Sequence, residues 1–292
     1  MGRARAERGA AAFERWYADL YGERWKGLRD ALGDDGRYAE LRNGLRRTYL
    51  LDPASVLAAA ALEVQPGERV LDLCAAPGGK SLVLACALFG GGESRRAAPG
   101  PGELVCNERS SARRARLHRV LDEHLPPGTR RLVRVTGHDA AKWALYEPAA
   151  YDRVLADVPC SSEQHVLLSP GALAEWSPSR PKRLAQGAYA IACAAVDAVR
   201  RGGRVVYATC ALSPFENDEV VRRIIERGNG DLQVIDADRL AARAFNGYRE
   251  LVPGEHASGP APGESTVYGR LILPDRDHGL GPIYFAAIER SV

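Results

Sequence analysis

The chain has 292 residues, 46% of them hydrophobic and 26% charged, with a formal net charge of +3; that is room for one large core and a small appendage. Its longest apolar runs, residues 54–62 and 81–89, fall short of the ~18 residues a membrane helix needs, so a globular protein with no membrane span is expected. Residues 1–8 are Arg-rich but include Glu7 and no apolar stretch, which argues against a secretory signal. A cytoplasmic location is expected, with a mitochondrial one as the alternative. The six cysteines, at 74, 86, 106, 160, 193 and 210, form no C-x-x-C pair, and the six histidines show no i, i+4 pairing. Reduced thiols and no metal site follow as expectations.

From residue 11 to 51 the pattern is helical and aromatic, with Phe13, Trp16, Tyr17, Leu20 and Tyr21 at three- and four-residue spacing among charges. Turns are read at residues 33–36 and at Asn43-Gly44. Residues 1–51 are therefore taken as a helical N-terminal extension. Asp52-Pro53 then opens a helix, with Asp as cap and Pro at the first position, and starts a second unit, residues 52–292. After the Pro66-Gly67 turn, strands are predicted at 70–74, 103–107, 131–135, 151–158 and 204–209. Helices are predicted at 81–89, 110–124 and 181–200, the last followed by Gly202-Gly203. This alternation implies an α/β fold with a mostly parallel sheet and functional residues gathered at the carboxyl ends of its strands. Residues 90–102 and 257–263, rich in Gly, Pro and Ala, are read as exposed, mobile loops.

Cys74-Ala75-Ala76-Pro77-Gly78-Gly79-Lys80 follows a predicted strand and opens a helix. Small residues there let backbone approach a ligand, and a helix N-terminus offers free N–H groups to a carboxylate. Position 74 is not Gly, which disfavours a phosphate loop, and no G-x-G-x-x-G is present, which disfavours a dehydrogenase. Glu108, after the second strand, stands where doubly wound folds place a ribose-gripping acid. Asp139, after the third, is a candidate acceptor for an adenine amino group; strand-end acids also serve as ordinary caps. Cys160 and Cys210 each end a predicted strand. Inert packing is the usual fate of a cysteine and is the reading for Cys86, Cys106 and Cys193. The arginines at 109, 113, 114, 116, 119, 130, 131 and 134 are answered within their own segment only by Asp122 and Glu123, so this stretch is either a phosphate-binding face or a solvated one.

The segments Asp72-Leu73-Cys74-Ala75-Ala76-Pro77-Gly78-Gly79-Lys80, Asn107-Glu108, Asp157-Val158-Pro159-Cys160 and residues 209–217, Thr-Cys-Ala-Leu-Ser-Pro-Phe-Glu-Asn, resemble in kind and order the hallmark motifs of the RNA cytosine-5 methyltransferases related to bacterial Sun (Fmu). The likeness runs from about residue 49 to the end, and the N-terminal part is similar to compact members acting on mitochondrial rRNA or tRNA. The resemblance implies a Rossmann-like class I S-adenosylmethionine-dependent methyltransferase. It places S-adenosyl-L-methionine in the 74–80 loop with Glu108, Asp139 and Asp157. It assigns Cys210 the attack on cytosine C6, Cys160 the release of product, and Asp157 a place between donor and base. A thiol with an ordinary pKa near 8.5 needs help to ionise, and Lys80 is the available cation. The substrate implied is RNA, ribosomal first and transfer RNA next, with the N-terminal helices, the basic stretch or a protein partner holding it. The rival is a catalytically silent RNA-binding ribosome assembly factor, against which both cysteines argue. Many relatives continue the first cysteine motif with Ser-Gly, whereas this chain has Ser161-Ser162-Glu163.

Overall fold

The computed structural model describes residues 8–34, 36–90, 100, 102–252 and 260–292. Two helices, α1 (Ala10–Tyr21) and α2 (Arg24–Gly33), come first. Residues 39–51, expected to be helical, instead form a hairpin of β1 (Ala39–Leu41) and β2 (Tyr49–Leu51), with Ala39 opposite Leu51. Ala39 and Leu41 are buried while Glu40 between them is exposed, a period of two that suits a strand. Helix α3 (Pro53–Ala60) starts as its sequence implies, Asp52 accepting from the Ala54 amide at 3.1 Å.

The nucleotide-fold core follows as β3 (Arg69–Asp72), α4 (Gly79–Phe89), β4 (Glu103–Asn107), α5 (Ser111–His124), a short α6 (Pro127–Arg130), β5 (Val133–Thr136), a 3-10 turn (Ala140–Leu145) and β6 (Tyr151–Asp157). Two short helices, α7 (Glu163–Leu168) and α8 (Pro170–Glu175), precede α9 (Ser179–Ala198) and β7 (Val199–Thr209). The chain closes with α10 (Asp218–Arg227), β8 (Leu232–Val234), α11 (Ala237–Leu251), β9 (Glu264–Ser265), β10 (Arg270–Ile272) and β11 (Ile283–Arg290). Strand β7 begins five residues earlier than its sequence suggests. Gly202, at φ 72°, and Gly203, where a Cβ would meet the Asp152 carbonyl at 2.7 Å, allow a register shift against β6 that a side chain would block. The Gly/Pro/Ala-rich loops lie mostly outside the described residues.

The sheet order is β5-β4-β3-β6-β7-β11-β10-β9, with β8 also on β11. β3 to β7 pair in parallel, while β11 runs antiparallel to β7, β8 and β10. Successive strand residues face opposite layers: Val70 and Leu104 pack with α3, α4, α5 and α11, while Leu71 and Val105 pack with α9 and α10. The chain winds outward from β3 through β4 to β5, then returns to β6 on the other side of β3. That reversal opens a crevice at the carboxyl ends of β3 and β6, where doubly wound sheets bind ligands. A third cluster, Phe13, Tyr17, Trp25, Leu28 and Leu32, packs on Trp176, Val166 and Leu212 and so lays α1 and α2 against the loops that leave β6 and β7. No helix among the described residues is long and apolar enough to cross a membrane.

Candidate active site

The loop after β3 is tied to both neighbouring strands: Leu73 N donates to Leu155 O at 2.9 Å and Ala75 N to Asn107 O at 2.8 Å. Gly78 has φ 123°, and a Cβ there would meet Val120 Cγ1 at 3.0 Å, so both conformation and space require glycine. Buried Asn107 braces the same end of the sheet, donating to Leu73 O and His138 O and accepting from Thr136 Oγ1 and His138 N.

Two cavities share the wall formed by Cys74. The larger, about 590 Å³, is lined by Glu108, Arg113, Asp139, Pro159 and Arg183 among others; the smaller, about 190 Å³, by Asp72, Ala75, Ala76, Pro77, Gly79, Lys80 and Asp157. A cavity of about 800 Å³ between α3, α4 and α11 contains none of these residues; its size exceeds theirs, but it lies off the carboxyl ends of the strands. Asp72 is buried at the end of β3 and accepts from Ser81 Oγ at 2.6 Å, while its other oxygen has no partner among the described residues. Burial first, then the nearby Asp157 charge, push its carboxyl up to about 7, against the Ser81 hydrogen bond and Lys80. Lys80 Nζ lies 2.8 Å from Asp157 Oδ2 and 3.2 Å from Ser55 Oγ. Burial pulls its ammonium down, but Asp157 outweighs this and holds its pKa above the ordinary lysine value.

Cys160 and Cys210, free thiols 50 residues apart, meet with their sulfurs 3.0 Å apart where β6 and β7 end. Ser162 Oγ is 3.1 Å from Cys210 Sγ and 3.6 Å from Cys160 Sγ. The hydrogen bond from Cys160 lowers the pKa of Cys210 against the opposing effect of burial, and Ser162 adds to the lowering. The same contact, with burial, raises Cys160 well above its ordinary value. Of the two thiols, Cys210 is thus the one that ionises more readily and Cys160 the one that holds its proton more firmly. Lys80, expected to be the cation that eases this ionisation, pairs with Asp157 and also feels the Cys210 charge, while the direct hydrogen-bond partners of the Cys210 sulfur are Cys160 and Ser162.

Two buried carboxyls cross-brace the cysteine loops. Glu163, beside Cys160 in the chain, accepts from Leu212 N at 3.0 Å; Glu216, beyond Cys210, accepts from Ser161 N at 2.8 Å. Ser161 Oγ contacts both carboxyls, and Tyr17 of α1 donates to Glu163. One hydroxyl proton cannot serve two carboxylates, so one acid is protonated. Burial, then the Glu163 charge, raise Glu216 to about 8, which makes it the holder. Tyr21 of α1 adds a hydrogen bond to Leu212 O at 2.8 Å.

Of the residues singled out in the sequence, Cys74, Glu108 and Asp139 line the larger cavity, while Lys80 and Asp157 join Cys74 at the smaller. Glu108 and Asp139 are at once wall and cap: Glu108 accepts from Ser110 N at 2.8 Å and Asp139 from Ala141 N at 3.2 Å. Asp72, Ser162, Glu163 and Glu216 were not singled out for the site, since a lone acid or serine in sequence carries no sign of its burial. The basic stretch is not left uncompensated. Arg113 donates to Ala76 O, Arg114 to Glu108 O, Arg130 to Asp122, Arg134 to Glu103, and Arg109 pairs with Asp139; Arg116, Arg119 and Arg131 stay exposed. Among the described residues no group of three or more His, Cys, Asp or Glu could hold a metal.

A parallel sheet wound about this switch point, with a glycine loop, strand-end acids and a closing antiparallel strand, defines a class I methyltransferase fold. Residues 59–261 match the family described as 16S rRNA methyltransferase RsmB/F, and the chain belongs to that family. It is similar to the bovine 5-cytosine rRNA methyltransferase NSUN4, 34% identical over 265 residues covering 88% of this chain and 64% of that protein. It is likewise similar to the zebrafish tRNA (cytosine(34)-C(5))-methyltransferase, mitochondrial, 34% identical over 252 residues covering 84% and 61%. The chain therefore spans a little under two thirds of these relatives. Among solved structures, a methyltransferase homologue from Pyrococcus horikoshii superposes with TM-score 0.66 at 18% identity, covering 95% of both chains. The NSun6 of that organism, titled as solved with SFG, gives 0.60 at 20% identity, covering 84% and 53%. At these identities the structures speak for the fold.

Proposed function

We propose that the protein transfers a methyl group to C5 of a cytosine in RNA through a covalent adduct on Cys210. The observation that carries this reading is the Cys160–Cys210 contact of 3.0 Å at the sheet's switch point, which lowers the pKa of one thiol and raises that of the other. S-adenosylmethionine, the cofactor the family uses, would be held by the 74–80 loop, Glu108, Asp139 and Asp157, and supplies a methyl group on an electrophilic sulfonium. The residues suit it: the two cavities meet at Cys74, and the unpartnered, buried Asp72 oxygen calls for a cationic or amino donor in the smaller one.

Cytosine C5 is a weak nucleophile, so the Cys210 lone pair first forms a bond to C6 and the C5=C6 electrons shift to C5. Asp157, partly exposed in the cavity wall and paired with Lys80, would meet the N3/N4 edge of the base. Once C5 carries the methyl group, its proton passes to a water molecule at the site, the C5–H electrons reform the C5=C6 bond and the C6–S bond breaks to release Cys210 as thiolate. The Cys160 S–H that eases ionisation of Cys210 eases this departure too, since a lower thiol pKa makes a better leaving group.

The RNA strand would lie across the first turns of α9. Arg180 Nη2 reaches Ser161 O at 3.4 Å, Lys182 Nζ sits 5.2 Å from the centre of the exposed Phe215 ring, and Arg183 lines the larger cavity beside Pro159. These cations border both cysteine loops, whereas the stretch from 109 to 134 spends most of its charge internally. The segment before residue 52 acts in this reading as an extension that braces those loops. The names of the relatives favour rRNA or tRNA as substrate, and a mitochondrial site of action over the cytoplasmic one.

A denaturing gel with labelled RNA tests the roles. Cys160→Ala should accumulate a covalent protein–RNA adduct and Cys210→Ala should form none; the reverse pattern refutes the assignment. Bisulfite sequencing of rRNA and tRNA with and without the protein identifies the target.

A further inference from the structure

Ser162 sits in the left-handed region, φ 51° and ψ 62°, between Cys160 and the first residue of α7. An L-residue there suffers a Cβ clash that glycine avoids, and such strain persists where surrounding structure makes use of it. Among the described residues four other non-glycines share positive φ, Glu63, Ala149, Asn229 and His278, none of them at the cysteine pair. What the serine supplies, and a glycine would not, is a hydroxyl 3.1 Å from Cys210 Sγ. With Cys160 Sγ 3.0 Å from the same sulfur and 3.6 Å from the hydroxyl, the three atoms form a closed triangle around the nucleophile.

The charged and titratable groups facing Cys210 otherwise oppose its ionisation or are committed elsewhere. Asp157 at the end of β6 and Glu163 on α7 both raise its pKa, as does burial. Lys80 feels the sulfur's charge, but its ammonium is bonded to Asp157 and Ser55. Cys160 contributes one hydrogen. The Ser162 hydroxyl can contribute the other, the Cys210 sulfur at 3.1 Å being nearer to it than Cys160 at 3.6 Å.

We infer that Ser162 is a catalytic residue: its O–H is the second hydrogen-bond donor to the Cys210 thiolate, stabilising the sulfur before it attacks and again as it leaves. The left-handed backbone is the conformation that brings the hydroxyl there. The inference rests on reading Cys210 as the nucleophile, though its physical core concerns the thiol alone.

The test uses the full chain without RNA. Iodoacetamide alkylation of Cys210 is followed by peptide mass spectrometry across pH in wild type, S162A and S162G. Loss of one hydrogen bond to a charged sulfur should move the midpoint up by about one pH unit in both variants, a roughly tenfold loss of thiolate at neutral pH. The midpoint is the proper readout, because a thiol of higher pKa is also intrinsically more nucleophilic and would mask part of a rate change. S162G, freed of the strained φ, should melt no lower than wild type, which separates the shift from damage to the fold. An unmoved midpoint in both variants overturns the inference; so does a shift in only one, which would trace to backbone rather than hydroxyl. With RNA and S-adenosylmethionine added, both variants should hold more adduct at steady state than wild type. If wild type itself neither methylates RNA nor forms an adduct, the reading of the reaction fails, while the alkylation midpoints still decide the role of Ser162 at the thiol.

Discussion

Glu216 offers a measurement that isolates one buried proton. Its carboxyl is fully buried, accepts from the Ser161 amide and contacts the Ser161 hydroxyl. Burial, followed by the Glu163 charge, moves it from an ordinary 4.5 to about 8. Between these values the folded protein retains a proton that the unfolded chain has released, so this group's contribution to stability is complete at pH 4.5 and is lost as pH rises towards 8. A displacement of three and a half pH units, at about 1.4 kcal/mol each, bounds the loss at about 5 kcal/mol. Glu216→Gln keeps an acceptor for the Ser161 amide and a donor for its hydroxyl but does not titrate. Thermal unfolding of wild type and variant from pH 5 to 8.5 should therefore give curves that separate as pH rises, with the variant the more stable at the alkaline end. At about 2 °C per kcal/mol for a chain of this size, the gap reaches at most about 10 °C. Other groups titrate in both proteins and cancel in the difference. Parallel curves, or a gap that narrows with rising pH, would refute the assignment of the proton to Glu216.

Gly78→Ala should cost about 1–3 kcal/mol, because its φ of 123° is glycine's and the added Cβ meets Val120; calorimetry should show weakened cofactor binding alongside a lower melting temperature. Tyr17→Phe removes only the hydroxyl that α1 donates to the buried Glu163 and should lower stability by about 1–3 kcal/mol in a denaturant titration. Arg113→Ala should weaken cofactor binding through loss of its anchor on Ala76 O, without altering the salt dependence of RNA binding. Replacing Lys182 with Ala should instead reduce the salt slope of RNA affinity by roughly one and leave cofactor affinity nearly unchanged; filter binding and calorimetry on both proteins would expose the opposite result.

Local sequence was sufficient for the parts of the fold whose signals are periodic or chemical. Strand β4 runs over the residues its apolar run indicates, α3 begins at Asp52-Pro53, and α5 is capped by Ser110. The 72–80 segment, Cys160 and Cys210 likewise drew notice through their motifs. The hairpin of β1 and β2 did not: each strand has three residues, too few for a period of two to outweigh the helical spacing before it. The stretch of small residues after β3 could be read as a ligand loop, but not that Arg113, on a different helix, would grip it.

What the tertiary structure alone decided is which distant groups share a proton or a charge. The sequence by itself determined that two cysteines end two strands; that their sulfurs stand 3.0 Å apart, the contact lowering one thiol's pKa and raising the other's, depends on β6 and β7 being adjacent and parallel. Likewise Arg134 meets Glu103 and Glu147, not Asp122, and Glu163 and Glu216 meet through Ser161. Residue type and spacing along one element are properties of a few neighbouring positions and survive in the sequence. Ionisation depends on burial and on every charge within several ångströms, and those distances come into being only when the sheet order brings separate strands side by side.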